Sequence, residues 1–285
     1  MTRSIPYNHF DLYHTLISGQ TFEWFPTNVP LEWNGTINGQ SIKLIQKGGK
    51  DKGDLVYESQ NNLDNELIYY FGLKDNYLNY IQNISFDPYI NKTLDKLMGL
   101  RVIRQDPWFC INSFIISQNN SVKNIQNALK NISNYVNKEE TSNAYTFPEH
   151  SKVKNLTLEE LMNCKTGYRA EYLMDFYNKL DQDPNFIEDI KLLDYTNAKE
   201  KLMTIKGIGE KVADCILLYG YSQYEAYPLD VHLRRATLEC YFPNIEKEPS
   251  NKQLRKWAKE YWKDLGGFAH FFLFTYRRLY GEIKL

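Results

Sequence analysis

Between residues 20 and 58, apolar and polar positions alternate in short runs: QTFEWF, LEWNGTING, SIKLIQ and LVYES, with the glycine-rich GGKDKGD before the last. A period of two sends successive side chains to opposite faces of a strand, and Asn34-Gly35 and Asn38-Gly39 predict hairpin turns. The pattern changes at Asn62. NLDNELIYYFGL and DNYLNYIQNIS repeat apolar positions at helical spacing, and so does NKTLDKLMGL after a break at Asp87-Pro88. Helical patterning then runs to the C-terminus through INSFIISQNNSVKNIQNALKNISNYV, LTLEELMNC, RAEYLMDFYNKL, NAKEKLMTI, EKVADCILLYGY, DVHLRRATLECY and NKQLRKWAKEYWKDLGGFAHFFLFTYRRLYG. The fold class is therefore α+β, with an antiparallel-sheet domain over residues 1–98 and an all-helical domain over 99–285.

Composition narrows the class without naming a function. Hydrophobic residues make up 42% and charged residues 24% of the 285, and 22 Tyr with 15 Phe supply ring surface typical of a packed core. The formal net charge of −1 does not advertise a nucleic-acid partner, so any such role rests on local basic patches. Cys110, Cys164, Cys215 and Cys240 form no C-x-x-C pair, which argues against a zinc site or a closely spaced iron–sulfur cluster. The N-terminus MTRSIPYNHFDLYH has no apolar leader, and no stretch approaches the ~18 to 20 apolar residues of a membrane span. A cytoplasmic protein with reduced thiols is expected.

The chemistry concentrates in IKGIGEKVADCILL, residues 205–218. Gly207 and Gly209 sit between two helical segments, where glycines permit a tight reversal and the following helix offers unpaired N–H groups to an anion. Leu202, Ile205, Ile208, Val212 and Ile216 frame a helix–hairpin–helix that could hold a phosphate. Lys211 falls in the first turn of the second helix, where the dipole and partial burial should lower its pKa towards a neutral, nucleophilic amine. Asp230, in YPLDVH, lies nineteen residues further on, directly before a helical segment that it could cap.

Taken together, GIGEKVADC and YPLDVH resemble the helix–hairpin–helix DNA glycosylase superfamily, and within it the 8-oxoguanine DNA glycosylase family. SGQTFEW at 18–24, GLRVIRQDPWFCINSFIISQNN at 99–120, GYRAEY at 167–172 and GGFAHFFLF at 266–274 extend the likeness over nearly the whole chain. The resemblance implies a glycosylase that extrudes its target base from duplex DNA. Lys211 would attack the sugar C1′ and form a Schiff base that permits β-elimination, while Asp230 stabilises the cationic sugar. It assigns the carbonyl of Gly19 to the N7–H that distinguishes 8-oxoguanine from guanine, with Phe274 and Cys215 on the two faces of the base. Asn119 and Arg169 would contact the opposite base, Tyr168 would wedge the duplex, and His232 would join Gly207 and Gly209 at the phosphates.

Two positions depart from the eukaryotic members of that family. Asn124 replaces a second opposite-base arginine, so preference for an opposite cytosine should relax, and His270 replaces a glutamine that reads the flipped base. The partner is double-stranded DNA containing oxidised guanine, with no membrane and a monomeric chain expected. No cofactor is required and no metal ligands are assigned, although carbonyls around Lys206 to Gly209 could hold a structural cation. Nucleoid-associated action in a prokaryotic cell is expected. The alternatives are a related glycosylase with another lesion preference, including a monofunctional alkylpurine enzyme, and a noncatalytic helix–hairpin–helix DNA-binding protein.

Overall fold

The computed structural model describes residues 1–138 and 145–285. Five strands form one antiparallel sheet in the order β1-β5-β4-β3-β2: β1 Thr2–Asn8, β2 Phe25–Pro26, β3 Glu32–Ile37, β4 Gln40–Gly48 and β5 Lys52–Glu58. The short helix α1, Leu12–Ile17, follows β1. Alternation buries Ile5 and Tyr7 of β1, Ile42 and Leu44 of β4 and Leu55 and Tyr57 of β5 on one face, with Leu44 opposite Tyr57 in the ladder. Strand β1 was not foreseen, and most of QTFEWF is irregular, with only its last residue in β2.

One of the two expected turns is corrected. Asn38-Gly39 does close the β3–β4 hairpin, with φ values of 48° and 73°. Asn34-Gly35 lies inside β3, paired with Lys43 and Ile42. Gly35 is there for close approach: a Cβ would stand 2.3 Å from the Trp24 ring. Asn-Gly marks a turn only where the flanking strands end, and here the indole needs the space.

The remaining described elements are helical. α2 is Asp64–Tyr70, α3 Tyr77–Ile84, α4 Pro88–Leu97, α5 Pro107–Ser117 and α6 Val122–Asn137. Then come α7 His150–Val153, α8 Leu158–Leu161, a π-turn at Met162–Thr166 and a 3₁₀ turn at Gly167–Arg169. α9 Ala170–Gln182, α10 Phe186–Ile190, α11 Tyr195–Met203, α12 Glu210–Tyr221, α13 Val231–Tyr241, α14 Asn251–Trp262 and α15 Gly266–Tyr280 complete the fold. The Asp-Pro break is a helix start: Asp87 caps α4 through Ile90 N–H at 2.8 Å, with Pro88 at the position where a missing N–H costs nothing. Buried Asp87 also accepts from Tyr241 and Tyr261, tying α4 to α13 and α14. Among the described residues no helix is long and apolar enough to cross a membrane.

Two apolar cores meet. One joins the sheet with α1 and α2, and the other joins α3, α4 and the later helices, so the chain enters its helical core before residue 98. The seam is polar and specific. Gln20, fully buried, bonds the Thr15 and Arg101 carbonyls and the Ile103 N–H, each at 2.9 Å, and accepts Gln105 Nε2 on its own carbonyl at 2.7 Å. Arg101 in turn donates to the carbonyls of Asn8, His9 and Gly72. These bonds set the backbone of Gly19 against the helical body, because each buried group would otherwise be left unpaired.

The same seam carries a testable cost. Half-buried Glu23 accepts from Tyr70 Oη at 2.9 Å, but desolvation outweighs that bond and pushes its carboxyl up to about 8. The folded chain therefore keeps a proton that the unfolded chain releases near its ordinary value of 4.5, and stability declines as pH rises between those two values. Glu23→Gln should raise the thermal midpoint relative to wild type at about pH 9 and leave it unchanged at about pH 4, as read by parallel melts.

Candidate active site

The hairpin joins α11 to α12. Leu202, Ile205, Ile208, Val212 and Ile216 are all buried, which seats the two helices and leaves the exposed glycines at the tip. The glycines do different things. Gly207 has φ +83°, and a Cβ there would stand 2.4 Å from the Tyr172 ring, so the turn itself demands it. Gly209 is extended and begins α12, with nothing within 4 Å of a Cβ position, so the helix N-terminus lies open.

Helix α12 is pinned from behind. Asp214, fully buried beside Cys215, meets Lys199 Nζ at 2.9 Å, Tyr195 Oη at 2.6 Å and Arg255 Nε at 3.4 Å, while Arg255 also reaches Glu210 at 2.7 Å. This network ties α12 to α11 and α14. It was not read from the sequence, because its members lie on three separate helices.

Lys211 is half-buried, its Nζ 6.0 Å from the centroid of the Phe114 ring and beside the Cys215 thiol. The expected lowering of its pKa is corrected. Negative charge on Cys215 and, after it, on Asp230 holds the ammonium above its ordinary value, against desolvation. Burial pushes the Cys215 thiol up to about 11, so near neutral pH the thiol is protonated and Asp230 is the anion facing Lys211. Asp230 comes from the other side of the pocket as the N-cap of α13, its Oδ1 accepting Leu233 N–H at 2.7 Å. Its Oδ2 has no hydrogen-bond partner among the described residues and remains for the pocket.

Helix α15 supplies the next wall. His270 is 2% exposed, stacks on Phe274 with ring centroids 5.8 Å apart, and leaves Nδ1 without a partner. Burial lowers its pKa to about 4, with Asp230 opposing and Lys211 reinforcing, so the ring is neutral at physiological pH. A neutral imidazole offers one donor and one acceptor, which suits reading a base edge. Half-buried Phe274 and exposed His232 line a cavity of about 480 Å³ with Arg235, Arg277 and Arg278. Gly19, at φ +89°, packs against the guanidinium of Arg278 at its rim.

A second cluster lies at the start of α6. Asn119, in the left-handed region at φ 47°, places Nδ2 3.5 Å from Tyr168 Oη, and Tyr168 is 49% exposed. Arg169 stacks under Tyr168, 4.5 Å from the ring centroid, but is only 8% exposed. Its guanidinium donates to the carbonyls of Gln118, Asn119 and Thr166, so in the DNA-free protein its donors are bound to the loop. Asn124 is exposed in the first turn of α6. The structure thus gathers candidate residues into three groups: the hairpin glycines with Lys211, Cys215 and Asp230; His270 with Phe274 on α15; and Asn119 with Tyr168 and Arg169. Among the described residues, no group of three or more His, Cys, Asp or Glu could hold a metal ion.

This architecture is that of a base-excision glycosylase. Residues 112–264, more than half of the chain, match the family model of the HhH-GPD superfamily base excision DNA repair proteins, and the chain belongs to that superfamily. Residues 4–111 match the 8-oxoguanine DNA glycosylase N-terminal domain, and within the superfamily the chain belongs to the 8-oxoguanine DNA glycosylase/lyase family. A probable N-glycosylase/DNA lyase of Methanothermobacter thermautotrophicus is 27% identical, over 97% of this chain and 96% of its own. The apo 8-oxoguanine glycosylase/lyase of Clostridium acetobutylicum superposes with TM-score 0.87 at 30% identity, covering 97% of this chain and 98% of that one. The same enzyme with double-stranded DNA containing cytosine opposite 8-oxoguanine superposes with TM-score 0.86 at 29% identity, covering 98% and 97%.

Proposed function

We propose that this protein flips 8-oxoguanine out of duplex DNA, excises it, and cleaves the strand by β-elimination through a Schiff base on Lys211. The observation that carries the reading is that Lys211 and Asp230, from two helices, are electrostatic neighbours of each other and of His270, with Cys215 beside the lysine and Phe274 stacked on the histidine. A phosphate-gripping protein needs the open helix N-terminus at Gly209 but neither of those charged groups.

In the reaction, Lys211 loses its proton and its lone pair forms the bond to C1′ as the glycosidic bond breaks. The departing base takes the bonding electrons and a proton. Charge on the sugar peaks between those events, and the Asp230 carboxylate faces it. Opening of the sugar ring gives the imine, which acidifies the C2′ hydrogen; its removal expels the 3′ phosphate. Because Lys211 is held as ammonium in the free protein, proton loss belongs to the bound state, where the sugar takes over as the cation that Asp230 stabilises. No redox cofactor enters. A structural cation at the hairpin would share carbonyls that already accept bonds, such as Ile205 from Ile208 and Gly209 from Ala213. The substrate also supports a cytoplasmic, nucleoid-associated location.

The test is borohydride trapping in single turnover on duplexes carrying 8-oxoguanine opposite each of the four bases. A covalent adduct is expected, and its absence from every duplex would overturn the reading. In the same assay, Asn124→Arg should raise preference for opposite cytosine by about tenfold, because a guanidinium fork adds a base contact of roughly 1–3 kcal/mol. An unchanged four-base profile would remove Asn124 from opposite-base selection.

A further inference from the structure

We infer that Arg278 is a gate on the lesion pocket, its guanidinium occupying in the DNA-free protein the place against Gly19 that the flipped base must take. The inference rests on the proposed base pocket. A Cβ on Gly19 would lie 2.0 Å from Nη1 and 3.0 Å from Cζ of Arg278, so the guanidinium lies directly on the glycine. Nη1 donates to the Ile17 carbonyl at 3.2 Å, anchoring the side chain across the end of α1. On α15, Arg278 is one turn beyond Phe274, and residues at that spacing share a helix face. Both line the same cavity of about 480 Å³, a volume suited to a small ligand.

The guanidinium also reaches inward. Burial pulls the Arg278 pKa down, and the Tyr219 hydroxyl is its electrostatic neighbour. Tyr219 in turn is an electrostatic neighbour of Cys215 and Asp230, while Arg278 itself is exposed. Its role differs from that of Arg277, one residue before, which is paired with Glu239.

A guanidinium offers only donors, and the base surface assigned to Gly19 is a carbonyl acceptor. Arg278 bonds the Ile17 carbonyl and not that of Gly19, which leaves the Gly19 acceptor to a base that brings its own N7–H. Guanine brings an acceptor, leaves the carbonyl unpaired and gains nothing for displacing the arginine. Arg278 therefore taxes every entering base, and only the oxidised one recovers the cost. Phe274 and Gly19 alone would select by contact; Arg278 adds selection by competition.

The experiment uses the full chain and a duplex with 2-aminopurine beside 8-oxoguanine, with base flipping followed by stopped-flow fluorescence. Arg278→Met keeps an aliphatic stem and removes the guanidinium. If the guanidinium fills the pocket most of the time, flipping should speed up by about five- to tenfold and half-saturating DNA should fall in proportion. The same variant should lose discrimination against guanine. Arg278→Lys, which keeps the charge without the fork, should lie between, and thermal melts confirm that both variants are folded. Slower or unchanged flipping would overturn the gate. So would weaker binding with a salt dependence reduced by about one charge, which would assign Arg278 to a phosphate. Wild-type excision of the same duplex is measured alongside: if that fails the substrate assignment fails, whereas intact excision with unaltered flipping sinks only the gate.

Discussion

Lys211→Gln is expected to abolish the borohydride-trapped adduct and to lower single-turnover excision on the order of 10⁴- to 10⁶-fold, the scale on which removal of a covalent nucleophile is felt. The reason is stoichiometric: without a lone pair on that side chain, no bond forms to C1′ and no imine exists to drive β-elimination. Glutamine retains the length and some of the polarity of lysine, and the network behind the helix does not involve residue 211. The variant should therefore fold, bind the lesion duplex and still extrude the base. A trapped adduct at wild-type yield would move the nucleophile elsewhere and end the Schiff-base assignment. The raised pKa of Lys211 adds a pH signature: excision should climb towards alkaline pH until the amine is free.

Asp230→Asn is the second large expected effect. Asparagine caps helices as well as aspartate does, so the Leu233 N–H should keep a partner and α13 should hold its start. Stability should change by about 1 kcal/mol or less, most of it from losing a negative charge at a helix N-terminus. Excision should nevertheless fall about 10²- to 10³-fold, because the carboxylate facing the developing sugar cation is gone. The contrast between an intact fold and a slow reaction separates the two duties of one residue. A large loss of thermal stability would mean that capping dominates, and near-normal excision would remove Asp230 from the chemistry. Lys211 should also titrate lower in this variant, because one of the two groups that hold its proton has been neutralised.

Local pattern was legible where local rules decide. The apolar frame of the hairpin and the Asn38-Gly39 turn follow from neighbours in sequence and stand as expected, whereas the expected break at Asp87-Pro88 is itself the start of α4. Asn34-Gly35 fails that logic because the indole of Trp24, eleven residues before Gly35, packs where a side chain would be. Strand β1 escaped notice because its pairing partner, β5, lies some fifty residues on, and two inward residues make a weak period. The dipole argument for Lys211 lost to Cys215, one turn on along the same helix, and to Asp230, brought in at the start of α13.

The sequence by itself determined the kind of molecule: a sheet followed by helices, a glycine hairpin ahead of a lysine, and an aspartate nineteen residues later. Spacing and composition suffice there because helix, strand and turn preferences are short-range. Only the tertiary structure decided which groups share an electrostatic environment. Arg169 is spent on the Gln118 and Asn119 carbonyls, His270 is neutral with a free nitrogen, and Arg278 lies on Gly19, 259 residues away. Desolvation and charge act through space at a few ångströms, and no reading along the chain can sum contributions from segments that folding alone brings together.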